Sequence, residues 1–196
     1  MPLELRRLAE RVGAGVRALA GGEALFLQGD LARALYLVEV GRLRLVRHTA
    51  AGEAVTLHVA RPGSLLAEAA LTAERYHCDA RADLPSRVVE LPRGALRQAL
   101  AGDPELALAF AGALCREVQR LRALVELRSL RGARDRLLAY LRWTCDGDAG
   151  GLDQPLKDVA SEIGLTPEAV YRAAARLERE GRLRRRGRRR LEPTGD

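Results

Sequence analysis

The sequence predicts an α+β chain: an antiparallel β-domain, one long helix, and a C-terminal winged helix-turn-helix. Three observations carry this. Between Gly22 and Leu91 short apolar runs recur between glycine-containing breaks, as the strands of a small sandwich or barrel do. From Asp103 a helical pattern runs for about 27 residues, about 40 Å of helix, interrupted only by Gly112. Finally, the stretch from Leu156 to Leu177 reads as two short helices around a Gly-Leu-Thr corner.

Composition excludes several classes. The 196 residues are 47% hydrophobic, enough to build cores, so a disordered chain is excluded. No apolar run reaches the roughly 18 residues of a membrane span, and the amphipathic MPLELRRLAERVG is no signal peptide, so no membrane partner is expected. Cys78, Cys115 and Cys145 lie far apart and are odd in number, which argues against a disulfide framework or a CxxC metal site and for a reducing cytoplasm.

Leu35–Val40 reads as a short apolar strand ending at Gly41. Arg42–Arg47 alternates charged and apolar residues like a half-buried strand, Ala51-Gly52-Glu53 reads as a turn, and 54–60 as the returning strand. Arg61-Pro62-Gly63 breaks the pattern, and 87–92 is the last clear strand. Arg93–Ala101 reads as a short helix closed by Gly102. Asp103-Pro104-Glu105 then supplies a cap, a first-position proline and a first-turn acid for the long helix. On that helix Phe110, Leu114, Val118, Leu121 and Val125 form one stripe at spacings of four and three. A helix this long packs on its own β-domain and pairs with a twin, so the stripe is the expected homodimer interface. Residues 132–143 are helical, 146–151 a loop, and 152–156 a short extended piece; Cys115 and Cys145 read as packing residues.

The next segment carries the most information. Val159, Ala160 and Ile163 form the inner face of a first helix, Gly164 makes the sharp turn, and Leu165 plugs the corner. Thr166 caps the second helix, Pro167 takes its first position, and Val170, Ala174 and Leu177 face inward. The outward face then carries Glu168, Tyr171, Arg172 and Arg176. Such a face enters the major groove of duplex DNA, where arginine reads guanine and glutamate accepts from cytosine. Gly181 closes the helix, and 182–191 reads as a hairpin around Gly187, a wing for phosphates. Charge agrees with this. The chain has 33 Lys+Arg against 26 Asp+Glu, a net of +7, and 167–191 alone holds ten arginines against Glu168, Glu178 and Glu180, also +7. The expected DNA contacts are Lys157, Thr166, Pro167, Glu168, Tyr171, Arg172 and Arg176, with Arg182, Arg184, Arg185, Arg186, Arg188 and Arg189 of the wing.

In the order of its parts the sequence resembles the cyclic-AMP receptor protein and fumarate/nitrate-reductase regulator (Crp/Fnr) family of bacterial transcription regulators. The resemblance rests on Gly22–Asp30 and Leu35–Leu43, on Pro62–Leu71, on Asp103-Pro104-Glu105, and on Ile163–Arg172. It implies an N-terminal jelly-roll β-roll of the cyclic-nucleotide-binding type (1–102), a dimerisation helix (103–131) and a winged helix-turn-helix (132–196). It further implies a dimer on a two-fold symmetric DNA site, with RNA polymerase as a further partner. Glu168 and Arg172 match base-contacting positions; Pro167 replaces a basic residue often found there, which implies a different DNA site.

The departures concern the sensor. In nucleotide-binding members a Gly-Glu pair and an Arg-Ser pair grip the cyclic phosphate; here they align with Ala67-Glu68 and Tyr76-His77, and the hydroxyls that meet the base align with Leu121 and Arg122. A buried phosphate without its arginine costs on the order of several kcal/mol, so cyclic AMP is not the expected effector. The cysteine cluster of iron–sulfur members is absent. Glu68, Tyr76, His77, Cys78 and Arg122 remain as a candidate pocket for an unidentified small-molecule effector. His77 and Cys78 are adjacent, and neighbours on a strand face opposite ways, so neither metal nor haem is expected and no cofactor is assigned. His48 and His58 flank the predicted hairpin as surface or packing residues. The alternative is a small-molecule- or metal-binding cupin-like β-roll whose basic tail binds nucleic acid non-specifically. Three scattered histidines do not form its ligand cluster, and no nucleophile elbow or phosphate-cradling loop appears, so no enzyme is expected.

Overall fold

The computed structural model describes residues 3–49, 51–145, 152–186 and 190–194. They fall into two units, Met1–Cys115 and Arg116–Asp196. The boundary falls inside the long helix.

The first unit is a β-roll. In chain order it comprises α1 (Leu3–Arg11), β1 (Gly15–Leu19), β2 (Ala24–Phe26), β3 (Ala34–Val40), β4 (Leu43–His48), β5 (Ala54–Ala60) and β6 (Leu65–Leu66). A 3-10 turn (Glu68–Leu71), β7 (Asp79–Ala82), β8 (Ser86–Pro92), α2 (Arg93–Gly102) and the start of α3 (Pro104–Ser129) complete it. The strands form two four-stranded antiparallel sheets, ordered β1-β8-β3-β6 and β2-β7-β4-β5. Leu35, Leu37 and Val38 of β3 are fully buried, each removing a side chain from water for about 2 kcal/mol. In β4 the expected alternation holds over residues 43–46, with Leu43 and Leu45 buried and Arg44 and Val46 half-buried, and it ends at Arg47 and His48, both exposed. Gly41 is required twice over. Its φ is +92°, and a Cβ there would lie 2.6 Å from the Pro85 carbonyl and closer still to Ser86 Oγ.

Four strands of this unit (β1, β2, β6 and β7) lack the expected signals, and β1 and β7 show why. β1 begins before Gly22, and its Val16 is exposed, so no apolar-inward run marks it. β7 reads Asp-Ala-Arg-Ala: its buried residues are two alanines and Asp79, whose carboxylate accepts the Gln28 N–H at 2.8 Å. Helix α3 starts as expected, with Asp103 Oδ1 accepting the Leu106 N–H at 3.0 Å. Cys115 departs from expectation: it is exposed rather than packed, while Cys145 is half-buried.

The second unit contains the end of α3, α4 (Ala133–Cys145), β9 (Leu152–Asp153), α5 (Leu156–Ile163), α6 (Pro167–Arg179), β10 (Leu183–Arg186) and β11 (Arg190–Pro193). The last two strands form an antiparallel hairpin, and β11 also pairs with β9 in the order β10-β11-β9. This is a helix-turn-helix with a wing. Its core holds Leu137, Leu141, Val159, Ile163, Val170 and Leu177, all fully buried. The loop expected at 146–151 and the wing tip at Gly187, Arg188 and Arg189 lie outside the described residues. No helix among the described residues is long and apolar enough to cross a membrane.

Candidate nucleic-acid interface and sensor pocket

The corner of the helix-turn-helix follows from three residues. Gly164 ends α5 in the left-handed region, φ 65° and ψ 44°, which glycine adopts without strain. The Leu165 N–H donates to the Ala160 carbonyl at 2.9 Å, and the Leu165 side chain packs on the unit's core. Thr166 then leaves the helical region, φ −74° and ψ 150°, and its hydroxyl accepts the Ala169 N–H at 3.2 Å, capping α6 with Pro167 in the first turn. On α6, Val170, Ala173, Ala174 and Leu177 are buried. Glu168, Tyr171, Arg172 and Arg176 lie on the exposed face. That face borders a cleft of about 420 Å³ whose opposite wall is Gly132–Asp135.

The charges of this surface are of two kinds. Arg176 holds Glu180 at 2.8 Å, Arg185 holds Glu178 at 2.8 Å, and Arg186 holds Glu192 at 2.9 Å. Exposed pairs of this sort contribute little to stability and exchange readily with a competing anion. Lys157, Arg172 and Arg184 are exposed and form no ion pair among the described residues. Glu168 has a carboxyl held below its ordinary range, first by its own backbone N–H, then by the Thr166 hydroxyl, with Arg172 adding to both. At neutral pH it is an ionised acceptor. Arg182 is half-buried where the chain enters β10.

The stripe on α3 divides between two surroundings. Phe110 is buried in the β-roll core and Leu114 packs against it. Val118, Leu121 and Val125 are exposed, as is Leu108 at 75%. Leu124, Leu127 and Leu130 turn into the core of the second unit. Leu108, Ala111, Cys115, Val118, Arg122 and Val125 all face solvent at alternating spacings of three and four, the repeat of a two-helix seam.

The sensor pocket is filled from within. The Tyr76 ring stacks on Phe26 with centroids 3.8 Å apart, and Phe26 stacks on Tyr36 at 5.8 Å. The Tyr76 hydroxyl donates to the Ala34 carbonyl at 2.8 Å, accepts the Ala34 N–H at 3.3 Å, and lies 3.4 Å from the Tyr36 hydroxyl. Burial, reinforced by Tyr76, pushes the Tyr36 phenol upward. The space left among Phe26, Leu45, Ala67, Ala70, Tyr76 and Cys78 is about 10 Å³, room for a single water, where small-molecule pockets take roughly 300–1,000 Å³. Glu68 is half-buried at the 3-10 turn, His77 is exposed, and Cys78 is buried, its thiol pushed up by that burial against the pull of Arg47. His77 and Cys78, one exposed and one buried, lie in the bend preceding β7 rather than within a strand. Arg122 belongs to the second unit. Among the described residues no group of three His, Cys, Asp or Glu could hold a metal ion.

Residues 16–103 match the cyclic nucleotide-binding domain family. Over 165 residues the chain is 31% identical to the cyclic AMP receptor protein of Thermus thermophilus, covering 83% of this chain and 76% of that protein. The chain belongs to the Crp/Fnr family of transcription regulators. A CRP-family transcriptional regulator of the same organism superposes with a TM-score of 0.70 at 26% identity, over 91% of this chain and 92% of that one. FixK2 of Bradyrhizobium japonicum shares the fold, TM-score 0.78 at 21% identity over 93% of both chains. As a member of the Crp/Fnr family, the protein is a regulator and not an enzyme.

Sequence reasoning missed two groups around these sites. Phe26 and Tyr36 complete the ring stack with Tyr76, yet in sequence they are ordinary apolar strand residues. Arg128 and Arg136 donate to backbone carbonyls at the helix-turn-helix corner. Both sit among many similar arginines, and nothing in the pattern marks where a guanidinium lands.

Proposed function

We propose that this Crp/Fnr regulator acts in the cytoplasm as a homodimer that reads a two-fold symmetric DNA site, in company with RNA polymerase, and that its β-roll does not take cyclic AMP. The observation that carries this is the capped α6, whose outward face sets the exposed Arg172 near the ionised Glu168, beside an arginine wing. Arg172 and Glu168 read base edges, a guanine and a cytosine. Tyr171, Arg176, Thr166 and Pro167 line the groove around them. Lys157, Arg182, Arg184, Arg185, Arg186, Arg188 and Arg189 hold phosphates, releasing counterions. Val118, Leu121 and Val125, continuous with Leu108, face a second copy of α3, and Phe110 and Leu114 brace that helix from behind. The effector role of Glu68, Tyr76, His77, Cys78 and Arg122 narrows to a ligand small enough to enter a cassette that Tyr76 already fills, or to none.

Selection of duplexes from a random pool by the full chain is expected to return an inverted repeat with half-sites about one helical turn apart. A pool without enriched symmetry would overturn the reading. Titration with cyclic AMP is expected to give no binding heat and no change in DNA affinity.

A further inference from the structure

We infer that Arg128 and Arg136 are positioning residues that set the angle of the recognition helix α6 against α3. The inference rests on the DNA-binding reading for its consequence, but not for its geometry. A helix leaves its last carbonyls without intrahelical donors, and the aligned peptide dipoles make that end negative. Two helix ends meet at this corner, and two arginines serve both.

Arg128, in the last turn of α3, donates from Nε and Nη2 to one acceptor, the Glu162 carbonyl in the last turn of α5, at 3.1 and 2.9 Å. Arg136, on α4, donates from Nη1 to the Ile163 and Gly164 carbonyls at 3.1 and 3.3 Å. Its Nε and Nη2 reach the Leu130 carbonyl just beyond α3, at 3.2 and 2.6 Å. The three carbonyls of residues 162–164 and the end of α3 are thus held by two planar forks. A lysine offers no fixed fork of this kind. The Arg128 side chain also lies close enough to Gly164 that a Cβ there would meet its Nε at 3.6 Å. The corner cannot move away from α3 without breaking these charged hydrogen bonds. Three residues further on, Pro167 begins the recognition helix.

This gives α3 a direct hold on the reading helix. A change in how two copies of α3 pair would reach α6 through Arg128, and half-site spacing would be read through the same link. Neither arginine needs to touch DNA for this.

The test compares the full-length wild type with Arg128→Gln, Arg128→Lys and Arg136→Gln. One measurement needs no DNA: amide exchange at Gly164 and Leu165 against that of the core amides of Leu141 and Leu177. Arg128→Gln is expected to speed exchange at the corner at least tenfold while the core amides change less than threefold, and Arg128→Lys restores it only in part. Uniform acceleration, or none, overturns the inference whatever the protein binds. The second measurement uses duplexes carrying the selected half-sites at the selected spacing and at one and two base pairs more or less. Arg128→Gln is expected to lose about tenfold at the selected spacing and far less at the others, so that spacing discrimination shrinks. Equal loss on every duplex, rescued by lysine, would mean a phosphate contact and overturn the inference. A wild type without any preferred duplex would instead overturn the DNA reading, with the exchange result still deciding on the clamp.

Discussion

Gly164 and Ala67 hold nearly the same left-handed backbone, φ 65° and ψ 44° against φ 60° and ψ 38°, at the decisive corner of each unit. Ala67 is the one non-glycine residue with positive φ among the described residues. At Gly164 everything the corner needs is present: a residue without a Cβ, a threonine cap, and free charge on the outward face. At Ala67 only the shape of a phosphate cassette remains. The 3-10 turn is formed with Glu68 at its start, but in the alignment the resemblance implies, alanine replaces a glycine and Tyr76 stands where a guanidinium would neutralise a phosphate. The unit proposed to face DNA keeps both geometry and chemistry. The unit proposed as the sensor keeps the geometry, and its interior is core.

The sharpest way to break this contrast is to remove the pairing proposed for α3, on which the proposed DNA reading depends. Val125→Asp places a charge in the exposed α3 seam, 69% exposed in the single chain. It should yield monomers by sedimentation and drop affinity toward the non-specific level, a loss of about 10³-fold or more. A dimeric, tightly binding variant would assign the seam another purpose. Next comes Tyr76→Ala in the sensor. Removing a buried ring that stacks on Phe26 should cost about 3–5 kcal/mol in urea unfolding, while the preferred DNA sequence stays the same. If base preference changed with it, the two units would be coupled through the cassette and the contrast would be too simple.

Arg172→Ala acts on the other side of the comparison. It leaves folding nearly untouched, because the side chain is exposed and unpaired, and should cost about 1–3 kcal/mol of binding with relaxed choice at one base pair. Arg184→Ala should weaken binding on all duplexes and lower the slope of log affinity against log salt by about 1. Equal behaviour of the two variants in a competition assay would place Arg172 on a phosphate.

How far the sequence exposes these features depends on whether the signal is local. The corner at 164–167 was legible because each of its residues has a backbone role that neighbours in the chain enforce: positive φ, hydroxyl cap, proline at the first turn. The four strands β3, β4, β5 and β8 were legible from apolar runs or alternation. β7 was not, because its buried residues are alanines and an aspartate whose partner, Gln28, lies far away in sequence. The apolar stripe on α3 was visible, but spacing alone could not separate Phe110, which the β-roll buries, from Val125, which it leaves exposed. The filled cassette was half visible: Tyr76 marked the loss of an arginine, whereas its stack with Phe26 of β2 and Tyr36 of β3 joins residues that only the fold brings together. Arg128 and Arg136 act at a distance on backbone atoms, and a backbone carbonyl has no letter in the sequence.

The smallest effects test the comparison most directly, by exchanging the two corner residues. In Ala67→Gly a left-handed alanine costing roughly 1–2 kcal/mol is relieved, while the freer glycine adds about 0.4–1 kcal/mol of unfolded-state entropy to lose. The balance lies between about 0 and about 1.6 kcal/mol of stabilisation, seen as a higher urea midpoint at constant slope. Gly164→Ala runs the same sum backwards. Its new Cβ meets Arg128 only at ordinary contact distances of 3.6–3.8 Å, so the penalty is backbone strain of about the same size. The functional readouts should nevertheless differ. Ala67→Gly leaves DNA affinity unchanged, because nothing that touches DNA hangs on the cassette. Gly164→Ala lowers it by more than its stability loss explains, because strain at the corner is relieved by tilting α6. Matching changes in affinity from both exchanges would show that the cassette still governs the reading helix, and a destabilised Ala67→Gly would show that the alanine methyl, 5% exposed among core residues, gives more in packing than its backbone costs.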